Sequence, residues 1–85
     1  MRTRTYCFET SAEGKTFQVQ ATPFTIVTKE TRYRVSCNEG PVHIFAWDEN
    51  LNRFSAIKEG IDRLSEKLVS AISMELQSIE HKKAA

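Results

Sequence analysis

The stretch Ser55-Ala56-Ile57-Lys58-Glu59-Gly60-Ile61-Asp62-Arg63-Leu64-Ser65-Glu66-Lys67-Leu68-Val69-Ser70-Ala71-Ile72-Ser73-Met74-Glu75-Leu76-Gln77-Ser78-Ile79-Glu80-His81 decides the fold. Its apolar residues Ile57, Ile61, Leu64, Leu68, Ile72, Leu76 and Ile79 recur every three or four positions, which places them on one side of an α-helix. A helix over residues 55–81 is roughly 40 Å long at 1.5 Å per residue. Strands of about seven residues reach only roughly 23 Å. A helix that outreaches its own sheet bends, frays or finds a partner. Asn52 or Ser55 is the expected N-cap, since either side chain can accept a bond from an orphan N–H. His81-Lys82-Lys83 suits the negative end of the helix dipole.

Two residues interrupt the stripe. Glu75 projects between Ile72 and Ile79, where an unpaired carboxylate against a dry core would be expensive. Either the sheet has ended there and Glu75 is solvated, or it meets a basic residue across a dimer interface and fixes the register. Gly60 costs about 1 kcal/mol against alanine in a helix interior. Close approach of a bulky side chain such as Trp47 or Phe54 explains it better than a hinge.

Upstream of the helix the pattern changes to period two. Strands are expected over about residues 3–9, 16–22, 31–37 and 42–47. Phe17, Val19 and Ala21 face one way and Gln18 and Gln20 the other, the alternation of a hairpin with one wet face. Gly14 supplies positive φ for the first turn. Pro23 cannot donate to a ladder and marks a bend, bulge or edge. Tyr33, Val35 and Cys37 point inward, with Arg32, Arg34 and Ser36 outward. Asn38-Glu39-Gly40-Pro41 is a strong turn signal. The fourth strand is apolar on both faces, with Val42, Ile44 and Ala46 on one and Phe45 and Trp47 on the other. The fold class is α+β: a four-stranded antiparallel β-meander followed by one long C-terminal α-helix packed across the sheet.

Eighty-five residues make a single small domain, 1–85, whose thin core is a physical reason to oligomerise. Twelve Lys plus Arg balance eleven Asp plus Glu, so strong polyelectrolyte attraction to nucleic acid or an anionic membrane is not indicated. No signal-peptide h-region follows Met1, and no apolar run is long enough to span a bilayer. The chain reads as soluble and cytoplasmic. Cys7 and Cys37 form no CxxC pair and are either an inter-strand disulfide or buried small hydrophobes.

No constellation of catalytic residues stands out. Cys7, Cys37, His43 and His81 lack metal-ligand spacing, and neither cysteine is placed to work as a nucleophile with His43. Asp48-Glu49 reads as a solvated pair near the helix N-terminus. The glycines are scattered and form no phosphate loop. No metal and no cofactor is expected, and the chain is read as a non-enzyme. A small-molecule pocket between helix and sheet has no convergent polar residues in the sequence to recommend it.

The order of parts, carried by Phe17-Gln18-Val19, Tyr33-Arg34-Val35-Ser36-Cys37-Asn38-Glu39-Gly40 and Lys67-Leu68-Val69-Ser70-Ala71-Ile72, resembles that of small Bacteroidota proteins that combine a β-meander with a C-terminal helix. The resemblance implies the fold and brings no activity and no site residues.

The functional expectation is an interaction or structural module, a homodimer assembled through Phe45 and Trp47 or through Ile72, Glu75, Leu76 and Ile79. Large aromatics on an open sheet face mark an interface or groove; the reverse assignment puts them in the core. The alternative is weak single-stranded nucleic-acid binding by Arg2, Arg4, Arg32 and Arg34, mixed with the aromatics of their strands. Against it, parity turns Arg32 and Arg34 away from Tyr33.

Overall fold

In a computed structural model, residues 4–57 and 64–84 are described. The alternating segments form five strands, β1 (Tyr6–Ala12), β2 (Lys15–Thr25), β3 (Thr31–Cys37), β4 (Val42–Asp48) and β5 (Arg53–Ile57). They pair in chain order, each antiparallel to the last. One helix, α1 (Glu66–Ala84), follows. The architecture is the α+β meander and helix that the sequence implies, with a fifth strand in place of the helix's expected first turns.

That exchange has a local cause. Phe54 and Ala56 alternate with Arg53 and Ser55, so the segment satisfies period two, and Ile57 fits either period. Asp48 Oδ1 accepts from the N–H groups of Asn50 (2.9 Å) and Leu51 (3.2 Å), and Asn52 takes φ +55°. The acidic run read as a lead into the helix is therefore a hairpin turn. Neither Asn52 nor Ser55 is the N-cap. Ser65 is: its Oγ accepts from Leu68 N–H at 3.2 Å, and its carbonyl accepts from Val69 N–H at 2.9 Å. Gly60 and Ile61 lie outside the described residues.

The other turns follow their sequence. Glu13 and Gly14 both take positive φ, +53° and +77°, in the two-residue hairpin that best matches strand twist. Asn38 N–H donates to the Gln18 carbonyl at 2.7 Å, and its Oδ1 accepts from Gln18 N–H at 2.9 Å. Gln18 thus directs its backbone toward β3, as do the other even positions of β2. Pro23, an odd position, directs its missing donor toward β1, whose pairing begins only at Tyr6 opposite Ala21. β2 consequently runs through Pro23 to Thr25 without a break.

Register places Phe8, Val19, Ala21, Tyr33, Val35, Phe45, Phe54 and Ala56 on one face, packed against Leu68, Val69, Ile72 and Leu76 of α1. The backbone of α1 comes closest to β5 and β1, the two outer strands, and not to the three between them. Strands lie about 4.8 Å apart, so a helix roughly 10 Å above a flat five-stranded sheet would sit about 14 Å from both edges. The sheet is therefore curled into a trough, and α1 lies along its open side, touching both rims. Tyr33 and Phe45, on the middle strands, fill the trough and are fully buried.

This arrangement corrects the interface expected from sequence. At nineteen residues α1 is about 27 Å long, whereas the eleven-residue β2 spans about 33 Å. The helix does not outreach its sheet. Ile72 and Leu76 are fully buried in the chain's own core, Ile79 packs against that core, and Phe45 belongs to it. Glu75 is half-buried. On β4 the inner residues are Phe45 and Trp47, with Val42 and Ile44 on the outer face. No helix among the described residues is long and apolar enough to cross a membrane.

A polar stripe beside the apolar one joins α1 to the rim formed by β5. Arg53 donates to Ser70 Oγ (2.6 Å) and Glu66 Oε2 (2.8 Å). The buried hydroxyl of Ser73 accepts from Phe54 N–H at 2.8 Å and from Gln77 Nε2 at 3.1 Å. Phe54 N–H is an edge donor that a further strand would otherwise satisfy, so Ser73 stands in for that strand. Replacing Ser73 by alanine strands this donor in the core, and urea denaturation should show a loss of about 1–3 kcal/mol. A Ser70→Ala variant, which leaves every backbone donor paired, should lose less than half as much.

Candidate binding site at one end of the trough

Because the strands alternate in direction, the β2–β3 and β4–β5 connections emerge at the same end of the trough. The C-terminal half of α1 arrives there too. A cavity of about 400 Å³ opens at this end, lined by Glu30, Thr31, Trp47, Phe54, Gln77 and Glu80. Its size falls within the usual range of about 300–1,000 Å³ for ligand clefts.

Trp47 and Phe54 are cross-strand partners on the inner face. Their rings meet edge to face at 5.3 Å, and Phe54 meets Tyr33 in the same way at 5.6 Å. The three rings form a continuous aromatic wall from core to mouth. Phe54 is buried, but Trp47 remains 38% exposed at the rim. Tyr33 O–H donates to Glu80 Oε2 at 2.6 Å. Burial, and next the bond to the Glu80 carboxylate, push the Tyr33 phenol well above its usual range. Glu30 Oε2 accepts from Arg32 Nε at 2.8 Å. The polar lining thus comprises two carboxylates, a hydroxyl and an amide, set against aromatic faces. This is the convergence of polar groups that the sequence did not reveal. Glu30 and Glu80 come from a turn and a distant helix, and no local spacing connects them.

The rim is apolar. Val27, in the β2–β3 turn, is fully exposed, and Leu51, in the β4–β5 turn, is 55% exposed. Together with Trp47 they make three of the five large hydrophobics exposed among the described residues. Val42 sits toward the opposite end and Met74 on the outer side of α1.

The expected interface set is therefore split. Trp47 stands at the mouth, while Phe45, Ile72 and Leu76 lie inside the core. The arginines are split as well. Arg32 and Arg34 lie on the outer face, where Arg34 stacks 4.6 Å from the centroid of the Phe24 ring. Phe24, opposite Arg32 in the register, shares that face, so one aromatic does accompany the basic pair. Arg4 instead lies over Tyr6, a residue of the inner face, at 5.8 Å. Arg2 is outside the described residues.

Cys7 is exposed and its parity is outward; Cys37 is half-buried and inward. Opposite faces keep both thiols free, and burial pushes that of Cys37 up. Among the described residues no three His, Cys, Asp or Glu side chains are grouped to hold a metal ion.

Compared with known proteins, the chain matches no family model, no curated protein and no solved structure. The chemistry of the mouth itself carries the functional reading.

The raised Tyr33 phenol has a measurable consequence. A group whose folded pKa exceeds its unfolded value, about 10 for tyrosine, contributes stability fully present below that value and lost as pH rises above it. In a Tyr6→Phe variant Tyr33 is the sole phenol. Ultraviolet titration should find it un-ionised well beyond pH 10 in the folded protein, with stability declining over the same range. Tyr33→Phe in the same background should remove the part of that decline that comes from the phenol.

Proposed function

We propose that this chain is a small binding module that takes a protein partner at the open end of its trough and performs no chemistry on it. The supporting observation is a cavity walled by Trp47 and Phe54 at the end of the trough where the turns that carry the exposed Val27 and Leu51 also emerge. Exposed apolar residues grouped at a concavity suit recognition, because the interior has already met the entropic cost of fixing the site. The lining supports binding rather than catalysis: it offers aromatic faces and oxygen acceptors. A second copy of the chain is one candidate partner, now through this end and not through the helix stripe.

The single tryptophan makes the proposal testable. In a ¹⁵N spectrum, isopropanol and phenol used as solvent-mapping probes should move the Trp47 indole N–H and the Gln77 side-chain amide. The amides of Gln18 and Gln20, on the outer face, should stay in place. Trp47→Ala should abolish the Gln77 response while keeping the cooperative thermal transition. Responses confined to Gln18 and Gln20 would move the binding surface to the outer face beside Arg32 and Arg34. Light scattering over a concentration series reads self-association, and Leu51→Glu should return a dimer made through this end to monomer.

A further inference from the structure

We infer that the open edge of β1 pairs with the β1 edge of a second copy of this chain, antiparallel and about a two-fold axis at Phe8. Two five-stranded sheets then become one. The inference does not rest on the binding end proposed above.

The ladder decides which groups this edge offers. Gln18 spends its backbone N–H and carbonyl on Asn38 and so turns its backbone away from β1. Glu9, opposite Gln18, turns its own backbone away from β2 by the same alternation. Cys7 and Ser11, two residues to either side, do likewise. All three residues are exposed, and among the described residues their N–H groups take no bond. The other edge differs, because Ser73 meets Phe54 N–H there.

Nothing in β1 discourages pairing. Edges that must stay alone carry proline, lysine, a bulge or an inward-pointing charge. β1 has no proline and no lysine, and its register with β2 runs unbroken from Tyr6 to Ala12. Its one charge, Glu9, faces outward and accepts from Gln18 Nε2 at 2.5 Å. Thr5 prolongs the extended run, with its Oγ1 2.9 Å from that of Thr22.

The same residues select the register and the occupant. Pairing through these groups requires the edge-facing residues of the two copies to lie opposite one another. Glu9 opposite Glu9 brings like charges face to face, which is destabilising. Cys7 opposite Cys7 leaves only Arg4–Thr10 to pair among the described residues. Glu9 opposite Ser11 carries Tyr6 into the turn at Gly14. Cys7 opposite Glu9 avoids all three faults and engages the whole of β1. In that register Phe8 meets its own counterpart on the inner face, at the closer spacing of a pair without hydrogen bonds. Phe8 is half-buried at the rim, packed against the core on one side. The second Phe8 covers what remains. A pairing symmetric about one residue calls for an identical strand, which makes the occupant a second copy.

Sedimentation of the full chain over a concentration series should show a monomer–dimer equilibrium. Glu9→Pro removes an edge donor that β2 does not use, a position where an edge strand tolerates proline. It should weaken dimerisation at least tenfold and keep the cooperative thermal transition. Glu9→Gln, and Leu51→Glu at the trough's end, should dimerise like the wild type. In the wild-type chain, amide exchange at Cys7, Glu9 and Ser11 should slow at least threefold between about 50 μM and about 1 mM. That measurement decides the matter even where Glu9→Pro fails to fold. The register is read by cross-linking with Cys37→Ala in every chain. A chain that keeps Cys7 is mixed with one carrying Cys7→Ser and Glu9→Cys, and oxidised glutathione is added. Directly opposed residues lie within disulfide reach, so the mixed product should exceed either product of like chains at least fivefold.

A monomer at every concentration overturns the inference. So does a dimer that ignores Glu9→Pro and leaves the three amides unchanged, or one lost only on Leu51→Glu. Disulfides mainly between like chains overturn the register and keep the edge. A monomer whose three amides are slowed by the peptide N-acetyl-Thr-Val-Thr-Val-Thr-Val-amide overturns the second copy in favour of a foreign strand.

Discussion

The structure depends on how the edge of β5 is closed. A five-stranded meander has two rows of unpaired backbone groups, one along each outer strand, and water or another strand must satisfy them. Here α1 lies against both rims, and on the β5 side it supplies a hydroxyl at the height of the ladder, Ser73 Oγ on Phe54 N–H. Glu66, Ser70, Ser73 and Gln77 follow one another at four, three and four residues. That spacing lays a polar seam along the helix immediately beside its apolar stripe. The stripe fills the trough while the seam fastens the rim. Curling the sheet enough to bring both rims to one helix is what buries Tyr33 and Phe45 so completely in so short a chain.

Much of this was legible in the residues. Alternation located the hairpin strands, turn chemistry located Glu13-Gly14 and Asn38-Glu39, and the run from Leu68 to Ile79 located the helix. Parity correctly set Gln18, Gln20, Arg32 and Arg34 outside. The error at Ser55–Ile57 arose because Ile57 satisfies both periods, and because Asn52 and Ser55 are as apt in turns and edge strands as at helix caps. Extending the stripe backward by about three turns, from Glu66 to Ser55, then produced a helix longer than its sheet. The interface derived from that overhang placed Ile72 and Leu76 on a surface, although the trough needs them inside. The two-faced fourth strand was ambiguous for a different reason: Val, Ile, Ala, Phe and Trp all favour burial, and only the curl decides which set faces the helix.

The mouth was illegible because its parts are brought together by topology alone. Glu30, Trp47, Phe54 and Glu80 have no common spacing, and each has an ordinary reading where it stands. Glu30 belongs to a turn, Trp47 and Phe54 to apolar strands, Glu80 to the last turns of a helix. The one available signal was indirect. Strand direction puts the β2–β3 and β4–β5 turns at one end, and both carry an apolar residue, Val27 and Leu51, where turn residues are normally polar.

The seal between sheet and helix also bears on how the chain reaches its fold. β1 is made first and α1 last, so the contact between them closes a loop of more than fifty residues. Loop closure of that kind is entropically late. Each hairpin can zip locally, but until residues around Ser73 have been synthesised both outer strands remain open templates for pairing with other chains. Pro23, facing the β1 side where that strand has ended, blunts part of one template from the start. The other is protected only when the helix docks, which makes the arrival of the C-terminal segment the step that separates folding from aggregation.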